Sequence, residues 1–173
     1  MKKNKMSFFD YTKTYDYPIF LQECNNTEQT SIFRNIIDTY HSYVKYKDVP
    51  QRRINYLIYR TSDSKPIGAI GISSCVLAIG PRDNWIGWNK ETRLKNSNMV
   101  ANNYRFCLKP NTGIKNLGSM VLRMVRIEGA KRWKERYGDD LLLMESYVLK
   151  NENRRGAVYL AEDRKSTRLD SSH

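Results

Sequence analysis

The chain has 173 residues, 40% of them hydrophobic and 12% aromatic, so it is long enough for one domain with a hydrophobic core and too short for two comfortable ones. Thirty Lys and Arg against eighteen Asp and Glu give a formal net charge of +12. This excess predicts attraction to polyanions, with nucleic acid as the first partner to consider. Basic side chains that only solvate the surface would give the same total.

The N-terminal part of the chain predicts an arm followed by a helix. Residues 1–20 mix Lys, Tyr and Asp without periodicity and are expected to form an irregular arm. From Asn26, which resembles a helix N-cap followed three residues later by Gln29, apolar residues recur at helical spacing. The pattern predicts a helix that ends near His41.

A β-hairpin is predicted next. Segments 54–59 and 67–73 are rich in β-branched and aromatic residues and flank a turn that contains Pro66. Gly68 and Gly71 in the second strand predict a bend or a close approach of another part of the chain.

The elements after the hairpin complete a mixed α/β (α+β) pattern. In chain order they are a loop at 80–88, a short helix at 89–99, a strand at 103–109, a helix at 117–138 and a strand at 141–148. Gly129 is expected to interrupt the long helix. With no internal repeat, residues 21–163 are expected to be a single domain with a central, mostly antiparallel sheet and flanking helices.

Two adjoining segments resemble a known family. Residues 67–74 (IGAIGISS) and 80–88 (GPRDNWIGW) are similar to the most recognisable stretch of the DruA family of the Druantia anti-phage defence system. Further similar segments follow in that family's order and at about its spacing, at 102–106, 114–117, 133–138, 141–145 and 155–156. The resemblance covers roughly residues 28–163. It implies a component of that multigene defence system, or a stand-alone relative carried by mobile elements. For a nucleic-acid-associated component, the expected partner is a helicase-type or nuclease protein encoded nearby.

The resemblance ends near Asp163, where the family continues into a further strand. Residues 164–173 instead resemble a peptide produced when sequencing-adapter bases are translated, and they are expected to be a non-native tail; the alternative is a solvated basic tail. If the tail is an artefact, the domain is incomplete at its C-terminus.

The segment 103–126 is a candidate phosphate-binding strand, loop and helix, because the first NH groups and the dipole of a helix face the preceding loop. The candidate phosphate- or cofactor-binding residues are Lys115, Asn116, Gly118 and Ser119. Their Lys-x-x-Gly-x-Met pattern resembles the pyrophosphate loop of GCN5-like N-acyltransferases, although its third small residue is missing.

That second resemblance implies an acyltransferase-type core without its last strand, with acyl-coenzyme A between splayed strands. Tyr159 would protonate the departing thiolate and Glu145 would be the general base. The alternative is structural: a packing glycine at Gly118, a strand-end carboxylate at Glu145 and a core aromatic at Tyr159.

Two groups of residues are candidates for nucleic-acid binding. In the segment 80–88, Arg82, Trp85 and Trp88 would stack on bases, or else form a packed lid over the sheet. In the long helix, six cations fall within fourteen residues: Arg123, Arg126, Lys131, Arg132, Lys134 and Arg136. They predict a surface that tracks phosphates, with a merely solvated helix exterior as the alternative.

Few residues are suited to other chemistry. The three cysteines are far apart and odd in number, which indicates no disulfide framework or CxxC metal site and favours a reducing cytoplasm. No apolar run is long enough for a signal peptide or a membrane span, so no membrane partner is expected. His41 is a candidate for proton transfer or for a helix-capping role. Neither a metal site nor a Ser-His-Asp triad is predicted.

Three functions are therefore open. The first is a nucleic-acid-associated defence component, the second an acyl-coenzyme A-dependent enzyme, and the third a non-enzymatic adaptor that docks an acidic protein.

Overall fold

The computed structural model describes residues 17–41, 45–48, 51–147 and 157–160. Its strands are β1 (Ile19–Glu23), β2 (Arg53–Arg60), β3 (Pro66–Ser74), β4 (Val100–Leu108) and β5 (Leu143–Glu145). Its helices are α1 (Thr27–Tyr40), α2 (Gly80–Ile86), α3 (Lys90–Asn96), a 3-10 turn (Ser97–Met99) and α4 (Leu117–Tyr137). Residues 157–160 are also helical.

The five strands form one sheet in the order β1-β2-β3-β4-β5. The first three pairings are antiparallel, whereas β4 and β5 are parallel. A parallel pair needs a crossover connection, and α4 lies in that connection. The predicted fold class, a mixed α/β protein with a mostly antiparallel sheet and flanking helices, is confirmed.

The helices α1 and α4 bury opposite faces of the sheet. The α1 side contains a small apolar cluster formed by Phe33, Ile36, Ile37, Leu57, Ala69 and Cys107. The α4 side contains the larger cluster, which includes Ile70, Ile72, Val121, Met124, Val125 and Trp133. Because neighbouring residues of a strand point to opposite faces, each face can be read from the alternation along the strands.

The local signals for α1 and for the hairpin are confirmed. The Asn26 side chain accepts a hydrogen bond from the Gln29 backbone NH at 2.9 Å, and α1 ends at Tyr40, just before the cap residue His41. Strands β2 and β3 pair in antiparallel register. A Cβ atom at Gly71 would lie 2.5 Å from the Tyr104 ring, which is the close approach predicted for the second strand.

Two predicted interruptions are wrong. The segment predicted as a loop at 80–88 contains the helix α2, which ends where Gly87 adopts a φ of 80°. Gly129 does not interrupt the long helix, since α4 runs unbroken for 21 residues to Gly138. A Cβ atom at Gly129 would lie 3.1 Å from Ile72 Cδ1, so this glycine allows α4 to approach the sheet closely.

Several strand boundaries also differ. Strand β1 was not predicted, and its first two residues fall in the range expected to be irregular. Strand β4 begins three residues before the predicted 103, and β5 has only three residues within the predicted 141–148. Residues 1–16 of the predicted arm, residue 148 of the predicted strand and the tail at 164–173 lie outside the described residues. In the described ranges, no helix is long and apolar enough to cross a membrane.

Candidate functional site

A buried ion network fastens α2 to the end of the sheet. The Arg82 side chain is 6% exposed and donates to Asp83 Oδ1 at 2.8 and 3.0 Å. Its guanidinium also donates to Glu145 Oε1 at 3.3 Å and to the carbonyl oxygens of Val76 (2.8 Å) and Leu77 (3.1 Å). These four acceptor groups use the donors of one guanidinium, so the Arg82 side chain is fully hydrogen-bonded within the protein.

Neighbouring side chains complete this network. Arg93 donates to Asp83 Oδ2 at 2.9 Å. Burial raises the pKa of Asp83, but the hydrogen bonds from Arg93 and Arg82 outweigh burial and hold the pKa below its ordinary value. The Arg82 guanidinium lies 5.8 Å from the centre of the Trp88 ring. Asp83 therefore stays ionised at neutral pH and anchors both arginines.

The two predicted nucleic-acid regions lie on opposite faces of the sheet. Met144 faces α4, because its Cε is 3.8 Å from the position that a Cβ on Gly129 would take. The next residue, Glu145, therefore points to the other face, where it meets Arg82 of α2. Of the three candidates in α2 and the residues just after it, Trp85 is the one with a freely exposed side chain, at 78%.

Arg132 and Arg136 are held by a carboxylate of β1. Glu23, which is 9% exposed, accepts from Arg132 Nε at 2.6 Å and from Arg136 Nη2. Arg132 also donates to Glu135 at 2.8 Å. Arg132 thus joins α4 to the edge strand β1.

The remaining α4 cations share its solvent side. We call Arg123, Arg126, Lys131 and Lys134 the α4 cationic face; Arg126, Lys131 and Lys134 are exposed and Arg123 is half-buried. Of the two glutamates in α4, Glu128 is buried and Glu135 is paired with Arg132. Lys134 forms an ion pair with Asp140 at 2.6 Å, but both side chains are 61% exposed, and such pairs are weak.

The predicted phosphate loop leads into α4 as expected, and its candidate residues differ in exposure. Lys115 and Asn116 are exposed; Asn116 has a φ of 56° and its side chain does not cap the helix. Ser119 is 8% exposed. A Cβ at Gly118 would lie 2.4 Å from Val158 Cγ2, so a side chain of this chain occupies the space beside the glycine.

Tyr159 lies beside β4 on the α4 side of the sheet. Its hydroxyl is 3.3 Å from the Asn103 amide, and its ring makes an edge contact with Phe106 at 6.3 Å. The Asn103 amide is best turned so that its nitrogen donates to the carbonyls of Gly71 and Arg105, which leaves its oxygen to accept from Tyr159. Tyr159 and Glu145 therefore lie on opposite faces of the sheet.

His41, the third candidate catalytic residue, caps the end of α1, where its backbone NH donates to Ile37 at 2.9 Å. No group of three or more His, Cys, Asp or Glu side chains in the described part of the chain could hold a metal ion.

One polar pair near the centre of the sheet was missed by sequence reasoning. The Tyr104 hydroxyl donates to Asn55 Oδ1 at 2.6 Å, and its ring lies over Gly71. Tyr104 is the extra residue of a β-bulge between β3 and β4. Gly71 was the one signal of this contact in the sequence. The bulge itself could not be predicted, because it depends on the register between two strands.

The comparisons with known proteins point to one family. The family model described as Druantia protein DruA matches residues 7–160. No curated protein and no solved structure gives a match. Because the family match spans most of the chain, the chain belongs to the DruA family and is a component of an anti-phage defence system.

Proposed function

We propose that this defence component binds nucleic acid through the α4 cationic face. The observation that carries the proposal is the segregation of charge on α4. Its four cations, three of them exposed and Arg123 half-buried, are accompanied by no exposed, unpaired carboxylate of the same helix. From Arg123 to Lys134 the face extends roughly 16 Å along the helix axis. At about 3.4 Å per phosphate along one strand, this length matches four or five phosphates.

The other predicted contacts add less to this surface. Arg82 and Arg132 are neutralised by carboxylates, and a phosphate would have to displace those partners. Trp85 is exposed but belongs to the opposite face of the sheet, so one short nucleic-acid segment would not contact both regions. We therefore assign the binding surface to α4 alone.

The test is a pair of charge-matched double variants. Arg123→Glu/Arg126→Glu changes the α4 cationic face, whereas Lys90→Glu/Lys95→Glu makes the same charge change on α3. Affinity for fluorescently labelled single- and double-stranded DNA and RNA is measured by anisotropy at low salt. We expect the α4 variant to bind about tenfold or more weakly, because it loses two phosphate contacts and adds repulsion.

The α3 control is expected to stay within about threefold of the parent, since it changes net charge without touching the proposed surface. Equal losses in the two variants would show that binding follows net charge and not α4. No binding to any of the four nucleic acids at low salt would overturn the proposal.

A second candidate function, acyl-coenzyme A binding, is favoured by one specific observation. The β4–β5 ladder joins Val100–Asn102 to Leu143–Glu145 and goes no further within the described residues, while β4 continues to Leu108. Beyond Asn102, the edge of β4 that β5 pairs with has no described strand beside it, and this part of β4 leads to the start of α4. Against this function, Val158 occupies the space beside Gly118 and Arg82 binds Glu145.

Titration calorimetry with coenzyme A tests the second candidate. If the loop before α4 holds the pyrophosphate, Lys115→Ala should weaken binding about tenfold, because it removes a hydrogen bond to a charged group. Lys90→Ala, another exposed lysine, serves as control. Absence of heat at millimolar coenzyme A, or equal affinity of Lys115→Ala and the parent, would contradict it.

A further inference from the structure

A row of polar side chains crosses three strands of the sheet. The strand register pairs Ser73 of β3 with Asn102 of β4, and Asn102 with Glu145 of β5. Side chains paired in this way share a face of the sheet, and neighbouring strands lie about 4.8 Å apart, so the three side chains are side by side. We call Ser73, Asn102 and Glu145 the polar row.

The polar row lies on the α1 side of the sheet. The residues just before its members, Ile72, Ala101 and Met144, belong to the apolar cluster on the α4 side. Because side chains alternate along a strand, the polar row faces the other way. Arg82 of α2 reaches the row at Glu145. Four of the segments that resemble the DruA family, at 67–74, 80–88, 102–106 and 141–145, therefore meet on this face.

This face carries a buried acceptor and a buried donor that are both unused. Asn102 is 9% exposed, and its Oδ1 has no hydrogen-bond partner among the described residues. Arg105 lies on the same face, two residues before Cys107 of the α1-side cluster, and its buried Nε has no partner in the described part of the chain either. Buried polar atoms without partners lower the stability of a folded protein, so they indicate groups kept for a ligand.

Charge narrows the class of ligand. Arg82 and Arg93 are matched by Asp83 and Glu145, so Arg105 leaves these five ionised side chains with a surplus of one positive charge. An ammonium group would be repelled by that surplus. An ionised phosphate has only acceptor oxygens and cannot donate to Asn102 Oδ1. The ligand therefore presents a neutral donor to Asn102.

The geometry of Arg105 favours a flat ligand. Its guanidinium lies over the Tyr104 ring, 5.2 Å from the ring centre, and one of its nitrogens donates to the Tyr104 carbonyl at 2.7 Å. These two contacts fix the plane in which Nε can donate. An acceptor atom of a planar ring can lie in that plane.

We propose that the polar row and Arg105 bind a nucleobase that carries an exocyclic amino group, adenine or cytosine. In both bases the amino group, which would donate to Asn102 Oδ1, lies beside a ring nitrogen that can accept from Arg105 Nε. Uracil has a carbonyl oxygen in place of the amino group. The site does not rest on the α4 cationic face, which lies on the other side of the sheet.

Titration calorimetry of the 173-residue chain with adenosine, cytidine and uridine tests the proposal. These nucleosides carry no phosphate, so the result is independent of nucleic-acid binding by α4. We expect at least one amino-bearing nucleoside to bind with a Kd of about 1 mM or lower, and uridine to bind about tenfold more weakly. Asn102→Leu should weaken binding about tenfold or more. Asn35→Leu, the same change at an exposed position of α1, should stay within about twofold.

Urea denaturation supplies a second readout. Asn102→Leu removes a buried oxygen that has no partner, so the urea midpoint should stay the same or rise. Asn103→Leu, the same change on the opposite face, should lower the midpoint, because the Asn103 amide is bonded to the carbonyls of Gly71 and Arg105. Equal losses in these two variants would show that Asn102 is already bonded in the free protein and would count against the site. No binding of adenosine or cytidine at millimolar concentration, or equal affinity of the parent and Asn102→Leu, would overturn the inference.

Discussion

Replacing Arg82 with alanine is expected to lower the free energy of unfolding by about 3–5 kcal/mol, because it leaves the carboxylates of Asp83 and Glu145 buried without their shared partner. Two carbonyl oxygens at the end of β3 also lose their donor. Urea denaturation followed by circular dichroism measures the change.

Two further variants separate charge from geometry at this position. Arg82→Lys keeps the charge but cannot make the five contacts of a guanidinium, so it should recover only part of the loss. Arg93→Ala removes the other arginine that binds Asp83. Because the Arg93 side chain is 21% exposed, its loss should lower the free energy of unfolding by less than Arg82→Ala does. A loss below about 1 kcal/mol for Arg82→Ala would show that the network contributes little to stability.

Trp133→Ala should produce a loss of similar size, about 3–5 kcal/mol. Trp133 is fully buried in the core beneath α4, its indole nitrogen donates to the Asn98 carbonyl at 3.3 Å, and its ring packs on Tyr137. Trp133→Phe should cost less, since it keeps most of the apolar contact and loses the hydrogen bond.

The matched control is Trp85→Ala, the same chemical change at a tryptophan that is 78% exposed. It should alter the free energy of unfolding by no more than about 0.5 kcal/mol. Similar losses for the two tryptophans in urea denaturation would contradict the assignment of Trp133 to the core and of Trp85 to the surface.

Elements with local signals could be predicted from the sequence. The start of α1 was marked by an Asn side chain that caps its own helix, and the end of α4 by Gly138 in the left-handed region. The hairpin was marked by two β-rich segments around a short turn. Each of these features depends on residues close together in the sequence, so it could be predicted without knowledge of tertiary contacts.

Helix α2 was not predicted, because the residue that holds it against the sheet is distant in the sequence. Gly80 and Pro81 are typical of a loop, but Arg82 binds Glu145, 63 residues further along the chain. Strand β1 was hidden for a related reason. Its inward residues are Ile19, Leu21 and Glu23, and the buried glutamate breaks the apolar alternation that marks a strand.

Contacts between residues distant in the sequence also limited the prediction of the candidate site. A count of cations treated Arg82 and Arg132 as available to a ligand, because a sequence does not reveal that Glu145 and Glu23 neutralise them. Glu23 lies 109 residues from Arg132. The α4 cations could be predicted as a group, since the helical period alone places Arg123, Arg126 and Lys134 on one side.

The most direct test of the proposed function is the dependence of nucleic-acid affinity on salt, measured for the parent and for Arg123→Glu/Arg126→Glu. Each phosphate contact releases counterions, so the slope of log affinity against log salt counts contacts. Binding through the α4 cationic face predicts a steep negative slope for the parent that is smaller by about two contacts in the variant. An affinity of the parent that does not change with salt, or an identical slope in the variant, would contradict it.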